Sequence, residues 1–138
     1  MQTLAPGLSG QRSLVVEERH TAGHLGSGGA PVYATPMMVL AMEEAALGAV
    51  DPLLEPGKAT VGYSLDVKHL AATPIGMRVT ATATLLSVDG KMLTFRVEAR
   101  DERELIGEGT HIRAIIDLER FKAKLAAKSA PASTGAES

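Results

Sequence analysis

The stretch TPMMVLAMEEAALGAV, residues 35–50, decides the fold. Thr35 reads as an N-cap, and Pro36 stands at the first helical position, where its missing N–H is not needed. From Met37 to Val50 the only charged residues are Glu43 and Glu44; the rest are Met, Val, Leu, Ala and one Gly. A helix apolar nearly all round is a buried helix, and this one is too short to span a membrane. Asp51-Pro52 closes it.

Such a helix needs apolar surroundings, and the flanking sequence supplies strands. Val61, Tyr63, Leu65 and Val67 alternate with Gly62, Ser64, Asp66 and Lys68. The same period of two runs through Val79 to Leu85 and through Leu93 to Ala99, each predicting one buried face. Asp89-Gly90 separates two of these runs as a hairpin turn. Leu105 to Asp117 is the last strand, and Leu118, Phe121 and Leu125 mark one face of a short basic C-terminal helix. Upstream, Gln11 to His20 reads as a strand and residues 21–31 as a Gly/Ser loop. One helix, apolar on all sides, followed by four antiparallel strands calls for a sheet that curls around it, the α+β hot-dog architecture. The edge strand and the remaining apolar helix surface call for a second subunit, so a homodimer is expected.

At 138 residues the chain is one domain. Residues 11–128 form it, and the Gly-, Ser-, Ala- and Pro-rich ends, 1–10 and 129–138, are expected to be flexible tails. There is no Cys, which excludes disulfides, thiolate metal sites and a Cys nucleophile, and fits a cytoplasmic protein. A net charge of −2 argues against a nucleic-acid partner. No apolar run is long enough for a membrane span, and Met1 to Gly10 lacks the pattern of a signal peptide.

Three residues stand out chemically. Glu43 lies among apolar neighbours in mid-helix, where an ionised carboxylate is costly unless paired. Thr35 is eight residues earlier and within about 80° of it around the helix axis. His69 takes the next inward position after Val67, pointing toward the helix that carries Glu43. A carboxylate and an imidazole directed into one core can share proton work. The plain alternatives are a simple N-cap for Thr35, a satisfied core residue for His69 and a solvent-facing Glu43. His20, His24 and His111 carry weaker signals; His111 is two residues from Arg113. No histidine pair has metal-ligand spacing with a third ligand, so no metal is expected.

Taken in order, TPMMVLAMEEAA (35–46), the run from Leu54 to Asp101 that contains VKHLAATPIG, and IGEGTHIRAIIDLERFKAK (106–124) resemble the fluoroacetyl-CoA thioesterase family of the hot-dog superfamily. The resemblance implies thioester hydrolysis, with Thr35, Glu43 and His69 as the catalytic residues. It implies a substrate-positioning glycine at Gly62 and an arginine near the acyl-CoA site at Arg113. It implies no cofactor, coenzyme A entering only as part of the acyl-CoA substrate. The family's phenylalanine-rich lid is replaced here by HLGSGGAPVYA (24–34), with Tyr33 its only aromatic, so the resemblance extends to hydrolysis and not to fluoroacetyl selectivity. Small residues, Ala34, Ala71 and Ala72, point to a short or medium acyl chain. Arg113, Lys68, Arg120, Lys122 and Lys124 are cations within reach of coenzyme A phosphates. The competing readings are a non-catalytic acyl-CoA or small-ligand binding protein on the same fold, a dehydratase acting on enoyl thioesters, and a structural dimerisation domain.

Overall fold

The computed structural model describes residues 3–131. Five strands are β1 (Ser9–Val15), β2 (Lys58–His69), β3 (Arg78–Asp89), β4 (Met92–Arg100) and β5 (Leu105–Asp117). Three helices are α1 (Ala22–Leu25), α2 (Thr35–Val50) and α3 (Leu118–Ser129). The strands form one antiparallel sheet in the order β1-β3-β4-β5-β2. The sheet curls around α2, which packs chiefly on β1, β3 and β4.

The alternation in β3 and β4 sets the core. Val79, Ala81, Ala83 and Leu85 are fully buried, as are Leu93, Phe95, Val97 and Ala99, and they meet Met38, Met42, Ala45 and Ala46 of α2. Each large apolar side chain buried in this way stabilises the fold by about 1.5–3 kcal/mol. The alanines let the sheet come close. Gly10 of β1 lies so near the helix that a Cβ there would overlap the Ala45 carbonyl oxygen. The β3–β4 hairpin turns through Gly90 and Lys91, with Gly90 at φ +61°, a conformation glycine adopts without steric cost. The α+β hot-dog arrangement expected from the helix and its strands is thus present.

Several local expectations change. The N-terminal strand is Ser9–Val15, earlier and shorter than Gln11 to His20, and Glu18–His20 form a 3-10 turn. Leu4 and Leu8 pack on the core, so the tail expected over 1–10 is largely part of the domain. The expected tail at 129–138 falls mostly outside the described residues. The loop over 21–31 contains the one-turn helix α1, capped by the Thr21 hydroxyl. Helix α2 is buried by its own chain on one side only: Leu40 and Leu47 are 44% and 38% exposed. Among the described residues, no helix is long and apolar enough to cross a membrane.

In β2 the expected inward face holds only in part. The register against β5 shifts between Gly62 and Ser64. This β-bulge inserts Tyr63 as an extra residue, and one extra residue exchanges the two faces of a strand. Ahead of the bulge Thr60 and Gly62 face inward rather than Val61 and Tyr63, and Tyr63 is 69% exposed. Beyond it Val67 and His69 keep the inward direction, with Val67 packed on the core.

Candidate active site

Ala34, rather than the expected Thr35, is the cap of α2, and it makes no side-chain cap bond. The Thr35 hydroxyl is therefore not spent on the helix end. It lies 2.7 Å from Nδ1 of His69, the last residue of β2. The edge of the His69 ring meets Tyr33, their centroids 6.5 Å apart. Tyr33 is anchored by donating its hydroxyl to the Met37 carbonyl at 3.1 Å, and burial pushes its phenol up to about 12, so it stays protonated. Burial also pushes the His69 imidazole below the ordinary histidine range, which favours the neutral base. Nε2 of His69 is buried and has no hydrogen-bond partner among the described residues. Beside the pair opens a cleft of about 410 Å³, lined by Gly28, Gly29, Val32, Leu70, Ala71 and Ala72 along with Thr35 and His69. Ala34, expected near this site, is in the core instead.

Within the chain Glu43 belongs to a second cluster. Eight residues along α2 place it about 12 Å further down the axis than Thr35. Its carboxylate stands over Gly62, where a Cβ would lie 2.8 Å from Oε2. The glycine makes room for the carboxylate. Arg113 approaches the same oxygen at 3.9 Å through one guanidinium nitrogen. That arginine is only 4% exposed. Its Nε donates to Thr60 Oγ1 at 2.8 Å and a terminal nitrogen to the Thr60 carbonyl at 3.0 Å. Thr60 in turn donates to Asp51 at 2.6 Å. Arg113 is thus committed inside the protein, where its burial keeps it away from a phosphate in solvent.

The histidine that sequence reasoning passed over completes this cluster. His111 is fully buried and stacks on Phe95. Its Nε2 lies 3.2 Å from an Arg113 nitrogen and its Nδ1 2.8 Å from the Ser64 carbonyl. An arginine only donates and a carbonyl only accepts. His111 must therefore be neutral, with the proton on Nδ1. Burial, the largest influence, pushes its pKa down in agreement. The signal for it was its place two residues from Arg113, which puts both side chains on one face of a strand.

The structure therefore brings Thr35 and His69 together at a cleft, and Glu43, Gly62, His111 and Arg113 together at a neighbouring cluster. The carboxylate charge is felt at His111 and Arg113. At His69 burial alone acts. No group of three or more His, Asp or Glu among the described residues could hold a metal ion.

Comparison with known proteins agrees with this architecture. Residues 16–119 match the family described as fluoroacetyl-CoA-specific thioesterase. A fluoroacetyl-CoA thioesterase from Streptantibioticus cattleyicolor is 50% identical over 98 residues, covering 71% of this chain and 70% of that protein. The crystal structure of a single-residue variant of the fluoroacetyl-CoA-specific thioesterase FlK superposes with a TM-score of 0.86 at 42% identity, covering 94% of this chain and all of that one. A hot-dog-like protein from Thermanaerovibrio acidaminovorans, 20% identical, shares the fold with a TM-score of 0.85 over 92% of this chain and 94% of its own. On the family match and the identity of these relatives, the chain belongs to the fluoroacetyl-CoA-specific thioesterase family.

Proposed function

We propose that the protein is an acyl-CoA thioesterase, hydrolysing a small or medium acyl-CoA ester to the free acid and coenzyme A. Thr35, His69 and Glu43 are its catalytic groups, and a homodimer is its working form. The observation that carries this reading is the 2.7 Å contact between Thr35 Oγ1 and His69 Nδ1 at the cleft, with the opposite ring nitrogen buried and unpartnered. A buried ring nitrogen without a partner is costly and asks for one.

The missing partner is Glu43 of the partner subunit. β2 is one of the two edge strands of the sheet. Leu65 on that edge and Leu40 and Leu47 on the outer side of α2 are exposed. An exposed strand edge beside apolar surface pairs readily with another copy. Two β2 strands pairing antiparallel about a two-fold axis near Leu65 and Asp66 bring Gly62 of one subunit within a residue or two of His69 of the partner subunit. The carboxylate that stands over Gly62 then reaches the unpartnered nitrogen. Thr35 donates to Nδ1, and Nε2–H donates to that carboxylate.

In this arrangement the carboxylate either adds to the thioester carbonyl or takes a proton from an attacking water, with His69 and Thr35 holding it in place. The thiol leaving group, with a pKa of roughly 8.5, departs as thiolate without strong acid help. Arg113 orients Glu43 from within the protein, and Gly62 leaves it space. The small cleft lining of Gly28, Gly29, Ala71 and Ala72 fits a short acyl group. A chain without cysteine that acts on coenzyme A esters fits the cytoplasm.

Thiol release from a panel of acyl-CoA esters, fluoroacetyl-CoA included, tests the reading. Glu43→Gln and His69→Ala are expected to lower it by on the order of 10²-fold while the fold remains intact. Acyl-CoA binding by the wild type with no thiol release would make the protein a ligand-binding relative instead.

A further inference from the structure

Asp51 stands at the end of α2, the helix that carries Glu43, and begins the 3-10 turn Asp51–Leu53. That turn closes on the backbone. The Leu54 N–H donates to the Asp51 carbonyl oxygen at 3.1 Å, a bond that does not depend on the side chain. The half-buried carboxylate is spent on β2 instead. Its Oδ1 accepts the Thr60 hydroxyl at 2.6 Å, and its Oδ2 accepts the Thr60 backbone N–H at 3.3 Å. Burial pushes the pKa of Arg113 down, and Asp51 opposes that effect more strongly than Glu43 does. The charge of the arginine is therefore shared between two carboxylates, one beyond each side of it.

The direction of each hydrogen bond is fixed. A guanidinium only donates, so the Thr60 oxygen accepts from Arg113 Nε, and its single proton goes to Asp51. Nη2 donates to the Thr60 carbonyl oxygen. Two of the three guanidinium nitrogens are thereby turned onto Thr60. The third, Nη1, lies 3.2 Å from His111 Nε2 and 3.9 Å from Glu43 Oε2. At 3.9 Å the positive charge acts on the carboxylate, but no hydrogen bond forms. A guanidinium and a carboxylate free to meet close into a short, two-pronged pair. Donors on both oxygens stabilise a carboxylate in its charged form and make it a weaker base and nucleophile.

We propose that Asp51 is a positioning residue for thioester hydrolysis: acting through Thr60, it holds Arg113 back so that the guanidinium steers the Glu43 carboxylate without capping its oxygens. The relay lies within one chain and joins the end of α2 to its middle by way of β2 and β5. Asp51, Thr60 and Arg113 are absent from the lining of the cleft beside Thr35 and His69. A change at Asp51 therefore leaves substrate binding alone and falls on the chemical step.

This inference rests on the acyl-CoA reading, and its test separates the two. Asp51→Ala removes the relay. Asp51→Asn, the milder version should the first not fold, keeps an acceptor for the Thr60 hydroxyl but removes the charge and sets an amide against the Thr60 N–H. A crystal structure of either variant is expected to show Arg113 turned onto Glu43, with nitrogen–oxygen distances of about 2.8 Å. In thiol release, kcat is expected to fall by about tenfold for Asp51→Ala, and by less for Asp51→Asn, with KM changed by less than about twofold. The same substitutions made in Glu43→Gln are expected to cost nothing further, since no carboxylate remains to be capped. An unmoved Arg113, an unchanged kcat or an equal loss in the Glu43→Gln background overturns the proposal. A wild type that releases no thiol from any ester defeats the hydrolase reading, while the position of Arg113 in the variant still decides whether Asp51 holds it back.

Discussion

At the scale of single residues, the site depends on small differences in reach. The Thr35 hydroxyl is free to meet His69 because Ala34 takes the cap position. Burial lowers the pKa of that imidazole, disfavouring its protonated form. The neutral ring is the useful one, so activity is lost as the pH falls through the folded pKa. The pH profile of kcat/KM for thiol release is expected to show that acid limb, at higher pH than burial alone would set because the partner subunit's Glu43 favours the protonated ring. Thiol release independent of pH through the histidine range would show that His69 is not the titrating group. Gly62 gives a second expectation. An added methyl meets the far end of the Glu43 side chain at 2.8 Å, which can swing aside without unfolding the protein. Gly62→Ala should therefore keep the melting temperature within a few degrees while displacing the carboxylate and lowering thiol release by about 10²-fold.

At the scale of elements, the bulge in β2 decides which residues meet. Without it, Gly62 and His69 would fall on opposite faces, since they are seven residues apart and a strand alternates every residue. The extra residue, Tyr63, puts both on the inner face. Thr60, Gly62, His111 and Arg113 then share one side of the β2–β5 pair, where His111 and Arg113 lock each other through complementary donors and acceptors. The opposite end of the sheet depends on close approach rather than on polar contacts. The Cβ of Gly10→Ala would overlap the Ala45 carbonyl and press on the Ala49 backbone, both held rigidly within α2. Overpacking of this kind costs about 1–3 kcal/mol. Urea unfolding should register that loss, and thiol release per folded molecule should not change.

At the scale of the whole molecule, one chain leaves two partial sites. One has an imidazole without a carboxylate, and the other has a carboxylate on α2 standing over an edge strand. If each catalytic centre combines them across the dimer, mixed dimers of His69→Ala and Glu43→Gln chains carry one intact centre and one doubly damaged centre. Random pairing of equal amounts makes half of the dimers mixed, so activity should return to about a quarter of wild type from two nearly inactive parents. No recovery on mixing and refolding would place the complete centre within a single chain.

The helix and its strands were legible in the sequence because apolar periodicity reports directly on which surface must leave water. An apolar run over Met37–Val50 and period-two strands such as Val79–Leu85 leave few other ways to bury themselves. Thr35, Glu43 and His69 stood out because polar groups in such segments have no cheap structural explanation. The cap at Ala34, the bulge at Tyr63, the committed Arg113 and the buried His111 were decided only by tertiary structure. Each depends on a contact between residues distant in sequence, and a strand's facing changes with one inserted residue that no periodicity marks.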